Sequence, residues 1–337
     1  MTNEAGGRYD GGRFRRCGAS GLSLPPVSLG LWQNFGDEDS TETGRAIIRL
    51  AFDRGVTHVD LANNYGPPPG AAEAAFGRIM ATDLKPFRDE MVIATKAGYR
   101  MWPGPYGDGG SRKYLLSSLD ASLRRLQLDY VDIFYHHRPD PATPLAETAG
   151  ALAQAVRSGR ALYVGISNYP APLAVEMADL LQALGAPCII HQGRYSLLDR
   201  GADDGLLDRL EPAGIGFAAF SPLAQGLLTD KYRQPATPPD ARMARSTTLP
   251  PERLTPAVRA LLDALAAVAQ RRGQSLAQLA LLWVLRRPAV TTAVIGARTT
   301  AQLNELLDAA TAAPLSDDEC QSIRAACADL DHRRTNT

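Results

Sequence analysis

The sequence predicts an α/β fold, a closed (β/α)8 TIM barrel with an N-terminal β-hairpin and extra C-terminal helices. Three observations carry that expectation. Short β-rich runs alternate with longer segments at helical period, the pattern of βαβ units around a parallel sheet. Eight such runs fall within about 300 residues, the number and length that a barrel of this kind needs. No break in composition divides the chain of 337 residues. Alternation alone also allows an open doubly wound sheet, because the spelling of strands does not show closure.

The elements follow in order. Residues 1–12, polar and Gly-rich, are expected to be irregular, ahead of a single domain over 13–330. Residues 14–17 and 22–24 flank the turn Gly18-Ala19-Ser20-Gly21 and form a small hairpin, with Arg13, Arg15 and Arg16 on a solvated edge. Strands are expected at 26–29, 57–60, 91–95, 130–135, 161–166, 188–191, 215–220 and 292–295. Amphipathic helices lie between them, at 41–54, 71–80, 111–126, 145–158, 171–184 and 206–210. Two helices, 256–272 and 276–286, precede the last strand; two more, 300–309 and 317–328, follow it. Residues 234–251 are Pro-rich, weakly periodic and too long for an ordinary βα connection, so they are expected to form a functional loop.

Composition excludes several classes of function. Lys plus Arg and Asp plus Glu number 36 each, a formal charge of zero that argues against a dominant nucleic-acid or anionic-membrane surface. No apolar run approaches the ~20 residues of a membrane span. Residues 1–16 hold no apolar signal-peptide core. Cys17, Cys188, Cys320 and Cys327 are far apart and form no C-x-x-C pair, the usage of a reduced, cytoplasmic protein. The helical pair Cys320 and Cys327 reads as packing.

In a barrel the chemistry gathers at the C-terminal strand ends. Here those ends spell Asp60 followed by Asn63-Asn64-Tyr65-Gly66, then Thr95-Lys96, Tyr135-His136-His137-Arg138, Ser167-Asn168, His191-Gln192, Phe220-Ser221 and Gly296. A buried Asp and a buried Lys must pair, since either alone is costly to desolvate. Beside them a tyrosine has a use. Its ordinary pKa near 10 is high for a proton donor at neutral pH, and a neighbouring ammonium favours the phenolate and lowers it. A nearby histidine can hydrogen-bond the reacting oxygen. Asp, Tyr, Lys and His together suit protonation of a carbonyl oxygen as hydride reaches its carbon.

Other polar residues have simpler readings. His136 should point away from His137, toward the helices or outer rim. His58 and His191 are expected to be satisfied structural histidines. No H-x-H occurs on the first strand to suggest a metal-dependent barrel hydrolase. The run Gly165-Ile166-Ser167-Asn168-Tyr169 lacks the second glycine of a nucleophile elbow. Gly214-Ile215-Gly216-Phe217-Ala218-Ala219 matches G-x-G-x-x-A but lies in a strand followed by Pro222, so it is no Rossmann fingerprint.

Several segments carry a resemblance from Arg15 to about Ala310. They are Val59-Asp60-Leu61-Ala62-Asn63-Asn64-Tyr65-Gly66, Ala94-Thr95-Lys96-Ala97-Gly98-Tyr99, Trp102-Pro103-Gly104-Pro105-Tyr106-Gly107, Tyr130-Val131-Asp132-Ile133-Phe134-Tyr135-His136-His137-Arg138-Pro139-Asp140 and Phe220-Ser221-Pro222-Leu223-Ala224-Gln225-Gly226. With these the chain resembles the aldo-keto reductases, in the branch of the bacterial L-glyceraldehyde 3-phosphate reductases and the voltage-gated potassium channel β subunits. The resemblance implies reduction of an aldehyde or ketone by NADP(H), without metal, and a tetrad at Asp60, Tyr65, Lys96 and His137. Channel subunits carry asparagine at the His137 place, so His137 favours reduction over a sensing or regulatory role. The resemblance also implies coenzyme contacts. Trp32 lies near the nicotinamide, Ser167, Asn168 and Gln192 hold its carboxamide, and Phe220 stacks on the ring. Ser221, Leu223, Gln225, Gly226 and Lys231 line the pyrophosphate loop. Arg242, Gly296, Arg298, Gln302 and Glu305 hold the adenosine end, with Arg242 and Arg298 favouring NADP over NAD. Arg298 replaces a frequent serine, and Leu306 stands where an asparagine commonly meets the adenine. The small-molecule carbonyl substrate, a small polar or phosphorylated aldehyde or alternatively a bulkier ketone such as one on a secondary metabolite, is expected to meet Trp32, Asn64, Tyr99 and Trp102, with Arg112 a candidate for a substrate phosphate. A homo-oligomer, tetramer or octamer, is implied by analogy, with no nucleic-acid or membrane partner.

Overall fold

Strand-forming runs that are apolar on both faces cannot stand in water on either, and such strands belong to a parallel sheet covered by helices. In the computed structural model, residues 7–9, 14–234, 236–239 and 241–334 are described, with the backbone only for 328–334. The irregular segment expected over residues 1–12 lies outside them apart from 7–9, as does Arg13. A two-stranded antiparallel hairpin, β1 (Arg15–Arg16) and β2 (Ser23–Leu24), comes first. Eight parallel strands follow: β3 (Val27–Gly30), β4 (His58–Asp60), β5 (Val92–Ala97), β6 (Val131–His136), β7 (Ala161–Ser167), β8 (Cys188–Arg194), β9 (Gly216–Phe220) and β10 (Val290–Ile295). They pair in sequence order, and β10 returns to β3, so the sheet is a closed barrel rather than an open one.

The helices are α1 (Thr41–Asp53), α2 (Ala71–Ile79), α3 (Arg112–Leu126), α4 (Leu145–Arg157), α5 (Ala171–Ala183), α6 (Leu206–Leu210), α7 (Arg242–Arg245), α8 (Pro256–Arg271), α9 (Leu276–Leu285), α10 (Thr300–Thr311) and α11 (Asp317–Arg334). Side-chain caps set several starts. Ser40, Ser111, Thr255 and Thr299 each accept from a backbone N–H in the first turn, and Ser275 with Gln278 forms a capping box. Beyond α2 the chain widens into an unanticipated π-turn (Met80–Leu84) and then tightens into a 3-10 stretch (Lys85–Glu90). Pro86 lacks the N–H that an α-helix would need there. Buried Asp83 accepts from Arg45 Nε at 2.6 Å and holds that bend.

Two apolar layers result. One lies between strands and helices. The other fills the barrel with Ala94, Ile133, Tyr135, Ile190, Ala218 and Val294, and the hairpin residues Cys17 and Leu24 join it from below. The hairpin is a stopper. Ala19 N–H donates to Gly214 O at 2.8 Å, and Cys17 Sγ lies 3.3 Å from Ile189 O. Gly18, at φ +55, sits so close that a Cβ would lie 2.0 Å from Gly214 O. Arg15 corrects an expectation. Instead of lying on a solvated edge, it donates to Leu285 O and Arg287 O at 2.9 and 3.1 Å, satisfying carbonyls at the end of α9. This end is thus sealed, and the barrel's mouth opens at the C-terminal ends of its strands.

The barrel wall also buries three histidines away from that mouth. His58 Nδ1 meets Ser28 Oγ at 2.8 Å, His136 Nδ1 meets the Tyr169 hydroxyl at 2.6 Å, and His191 Nε2 meets Tyr169 O at 3.0 Å. Burial pushes each down to about 4. An unfolded histidine titrates near 6.5, so between 6.5 and 4 the unfolded chain binds more protons and stability falls with falling pH. Thermal unfolding followed by circular dichroism should therefore give a midpoint several degrees lower at about pH 5 than at about pH 7.5. Equal midpoints would show that these rings are not held neutral.

Candidate active site

The open mouth leads into a cavity of about 630 Å³ that runs from the strand ends of β4 and β6 to the start of α10. At its floor, Asp60 ends β4 and Lys96 lies near the end of β5, both almost fully buried. Lys96 Nζ donates to Asp60 Oδ2 at 2.7 Å, to Leu61 O at 2.7 Å and to the Tyr65 hydroxyl at 3.2 Å. All three ammonium protons are thus placed. Gln192 Nε2, on β8, crosses the barrel and donates to the second Asp60 oxygen at 2.8 Å. Tyr65 is held by a turn in which its N–H donates to Ala62 O and its carbonyl accepts from Gly70 N–H, both at 3.1 Å.

Burial lowers the Lys96 pKa from its ordinary value, against the pull of Asp60 and of the carboxylate of Glu73. The Tyr65 phenol is raised well above its usual range by burial, then by the charge of Asp60 and by Tyr99. This reverses the expectation that the ammonium lowers it. Burial dominates, so the phenol is kept protonated, and the Lys96 N–H is left to act on the oxygen once its proton departs.

His137 follows β6, and its ring is wedged edge-on between Tyr65 and Tyr99, with centroids 5.9 and 4.7 Å away. Its Nδ1 has no hydrogen-bond partner among the described residues, so ring packing orients it. Burial, then the Lys96 charge, drives its pKa well below 6.5. His136 points the other way, as expected, onto Tyr169. Asn168, at φ +60, donates to His137 O and to Ser167 Oγ, both at 3.0 Å.

All the proposed coenzyme residues line this one cavity: Trp32, Ser167, Asn168, Gln192 and Phe220, then Ser221, Leu223, Gln225, Gly226 and Lys231, and Arg242, Gly296, Arg298, Gln302 and Glu305. Asn64 and Tyr99 reach it too, whereas Lys96 lies behind the wall. Trp102 is not brought to the wall; it packs on Tyr114 of α3, ring centroids 5.3 Å apart. Arg112 stays at the start of α3, against Gly150 of α4. The loop over 234–251 reaches the mouth through α7, where Arg242 lies over the Trp32 ring at 5.8 Å.

Sequence reasoning missed Arg194, Asn34 and the buried Glu73. Glu73 accepts from Thr95 Oγ1 at 2.5 Å and from Arg125 Nε at 2.7 Å. Arg194 had a usable signal: continuing strand alternation from Gln192 turns it inward. Of the six described non-glycine residues with positive φ, four line this cavity: Asn34, Asn168, Ser221 and Gln225. Strain of that kind gathers at functional sites. Among the described residues, no group of three or more His, Cys, Asp or Glu could hold a metal ion.

Comparison with known proteins agrees with this geometry. Residues 26–328 match the Aldo/keto reductase family. The chain is 55% identical over 307 residues to "L-glyceraldehyde 3-phosphate reductase" of Escherichia coli (strain K12), covering 90% of this chain and 88% of that one. It is 34% identical over 311 residues to "Probable voltage-gated potassium channel subunit beta" of Arabidopsis thaliana, covering 90% and 92% respectively. A "Putative voltage-gated potassium channel subunit beta" of Schizosaccharomyces pombe (strain 972 / ATCC 24843) is 34% identical over 305 residues, with 87% and 86% covered. A closed eight-stranded barrel with a buried Asp–Lys–Tyr site, matched over nearly its whole length, places this chain in the aldo/keto reductase family, and so among the oxidoreductases.

Proposed function

We propose that the protein reduces a small polar aldehyde, phosphorylated aldehydes included, to the alcohol with NADPH, and that Tyr65 donates the proton. The observation that carries this reading is the buried ammonium of Lys96, whose three protons fall on Asp60, Leu61 O and the Tyr65 oxygen at the floor of a long cavity.

The cavity residues fit a dinucleotide. Among the described residues, Gln225 Oε1 is buried there without a partner, and a Cβ on Gly296 would meet nothing closer than 3.7 Å, leaving room for a large ligand against the backbone. Ser167, Asn168, Gln192, Phe220 and Trp32 would hold the nicotinamide end. Ser221, Leu223, Gln225, Gly226 and Lys231 would flank the pyrophosphate. Gly296, Gln302 and Glu305 would take the adenosine, and Arg242 and Arg298, close enough to influence each other, would prefer a 2′-phosphate. When bound, the coenzyme supplies hydride to the carbonyl carbon.

The chain's own residues do the rest. Tyr65, held protonated by burial, gives its proton to the carbonyl oxygen, and the Lys96 N–H stabilises the phenolate left behind. Asp60 keeps Lys96 charged and in place. His137 is neutral, and with Nδ1 facing no acceptor, the tautomer carrying hydrogen on Nε2 turns a donor toward the substrate oxygen. The Escherichia coli relative is named for L-glyceraldehyde 3-phosphate, which supports a short phosphorylated aldehyde as the substrate class.

Tyr65→Phe should lower turnover of NADPH with glyceraldehyde 3-phosphate to less than about a tenth of wild type, read at 340 nm, while NADPH affinity by fluorescence stays nearly intact. A faster mutant would remove Tyr65 as donor. Tight NADP binding with no turnover of any carbonyl compound would instead mark a sensing subunit. Lys96→Met should lower kcat by about 100-fold or more with little change in KM, because its contact is needed chiefly once the proton has left. His137 is neutral on both sides of 6.5 and Tyr65 protonated below 10. With glyceraldehyde, which carries no titrating phosphate, and saturating NADPH, kcat/KM should therefore be flat between about pH 6 and pH 8. A step at about 6.5 would contradict a neutral His137.

A further inference from the structure

Four cations line the cavity, and Arg194 stands apart from the other three. Lys231, Arg242 and Arg298 follow β9 and β10, on the side proposed for the coenzyme's phosphates. Arg194 ends β8. On that strand His191 turns outward and stacks on Phe217, ring centroids 5.6 Å apart, while Gln192 turns inward to Asp60. Successive side chains on a strand alternate, so Arg194 also points inward, two residues or roughly 6.6 Å nearer the mouth than Gln192. Its guanidinium rests over the Phe220 ring at 5.5 Å. Among the described residues, no carboxylate pairs with it and no carbonyl or hydroxyl accepts its N–H groups. A solvent-facing guanidinium held in a ligand cavity by one aromatic contact keeps its whole donor fork for a ligand, and that fork matches a phosphate.

The position selects which anion. Around the rim from Arg194 come Asn168, after β7, and then His137, after β6. Neighbouring strands lie about 4.8 Å apart, so the two strand ends are separated by about 10 Å, a gap that an extended arginine and a three-carbon chain span together. We propose that Arg194 is a specificity-determining residue that binds the phosphate of a short phosphorylated aldehyde whose carbonyl lies at Tyr65 and His137. This rests on the reductase reading above and deepens it, by naming the group that tells the phosphorylated substrate from its neutral counterpart.

Arg194→Met keeps an apolar contact with Phe220 and removes the charge and the donors. Two measurements test it, each with the fold checked by circular dichroism. In calorimetry with NADPH present, which cannot accept a hydride, glycerol 3-phosphate, the alcohol this reduction yields, should bind the variant at least tenfold more weakly than wild type. In steady state, the ratio of kcat/KM for glyceraldehyde 3-phosphate to that for glyceraldehyde should fall by a similar factor, mainly through KM. Arg194→Lys should recover part of both. Equal glycerol 3-phosphate binding in variant and wild type would overturn the proposal. So would an unchanged ratio of the two aldehydes, or a matching loss of NADPH affinity, which would put Arg194 on the coenzyme. Wild-type protein that binds glycerol 3-phosphate through Arg194 but oxidises no NADPH would leave the anion site standing and overturn the reductase reading alone.

Discussion

The ion pair of Asp60 and Lys96 is the constraint on which the rest of the site depends. Moving two charges out of water costs on the order of several kcal/mol for each ion, and their mutual attraction offsets this only when every remaining proton and lone pair is bonded. That requirement recruits parts of the fold distant in sequence. Leu61 O takes one Lys96 proton, the Tyr65 oxygen another, and Gln192 reaches from β8 to close the second oxygen of Asp60. One electrostatic need thus fixes the level of β4 against β5, the path of the loop after β4 and a contact across the barrel. It also explains why a phenol sits where burial keeps it protonated: the same enclosure that makes the pair expensive raises Tyr65.

The barrel separates duties along its axis. At the hairpin end the interior is filled with apolar side chains and closed by glycine-tight contacts, with Cys17 and Cys188 both pushed up to about 12 by burial and so held as thiols. At the other end the residues carry charge, left-handed backbone and orphaned polar atoms. Strain is tolerated there because the filled half supplies the stability.

Much of this was legible in the letters. Alternation found all eight barrel strands, since runs buried on both faces are spelled in apolar residues, and reading what followed each run drew Asp60, Tyr65 and Lys96 to one rim; the choice of His137 over His136 came from the family resemblance. Closure followed from the number and length of the units and not from the spelling of any strand, because it depends on β10 pairing with β3 across most of the chain. Strand ends were less legible: polar residues at a barrel mouth look like loop, which hid the last three residues of β8 and with them Arg194. Trp102 read as pocket by its place in a long loop, but Tyr114 offered it a packing partner that the sequence cannot display. Arg15 read as solvated because the carbonyls at the end of α9 lie far away in sequence. The direction of the Tyr65 shift was missed for a similar reason: the neighbouring cation is visible in a motif, whereas the depth of burial belongs to the assembled fold.

The stoppered hairpin end has a kinetic meaning. A vessel with one doorway imposes a queue: a guest lying along the floor blocks nothing behind it, yet is itself blocked by whatever settles above. A guest seated deepest would arrive first and depart last, passing the rim where Arg242 lies over Trp32.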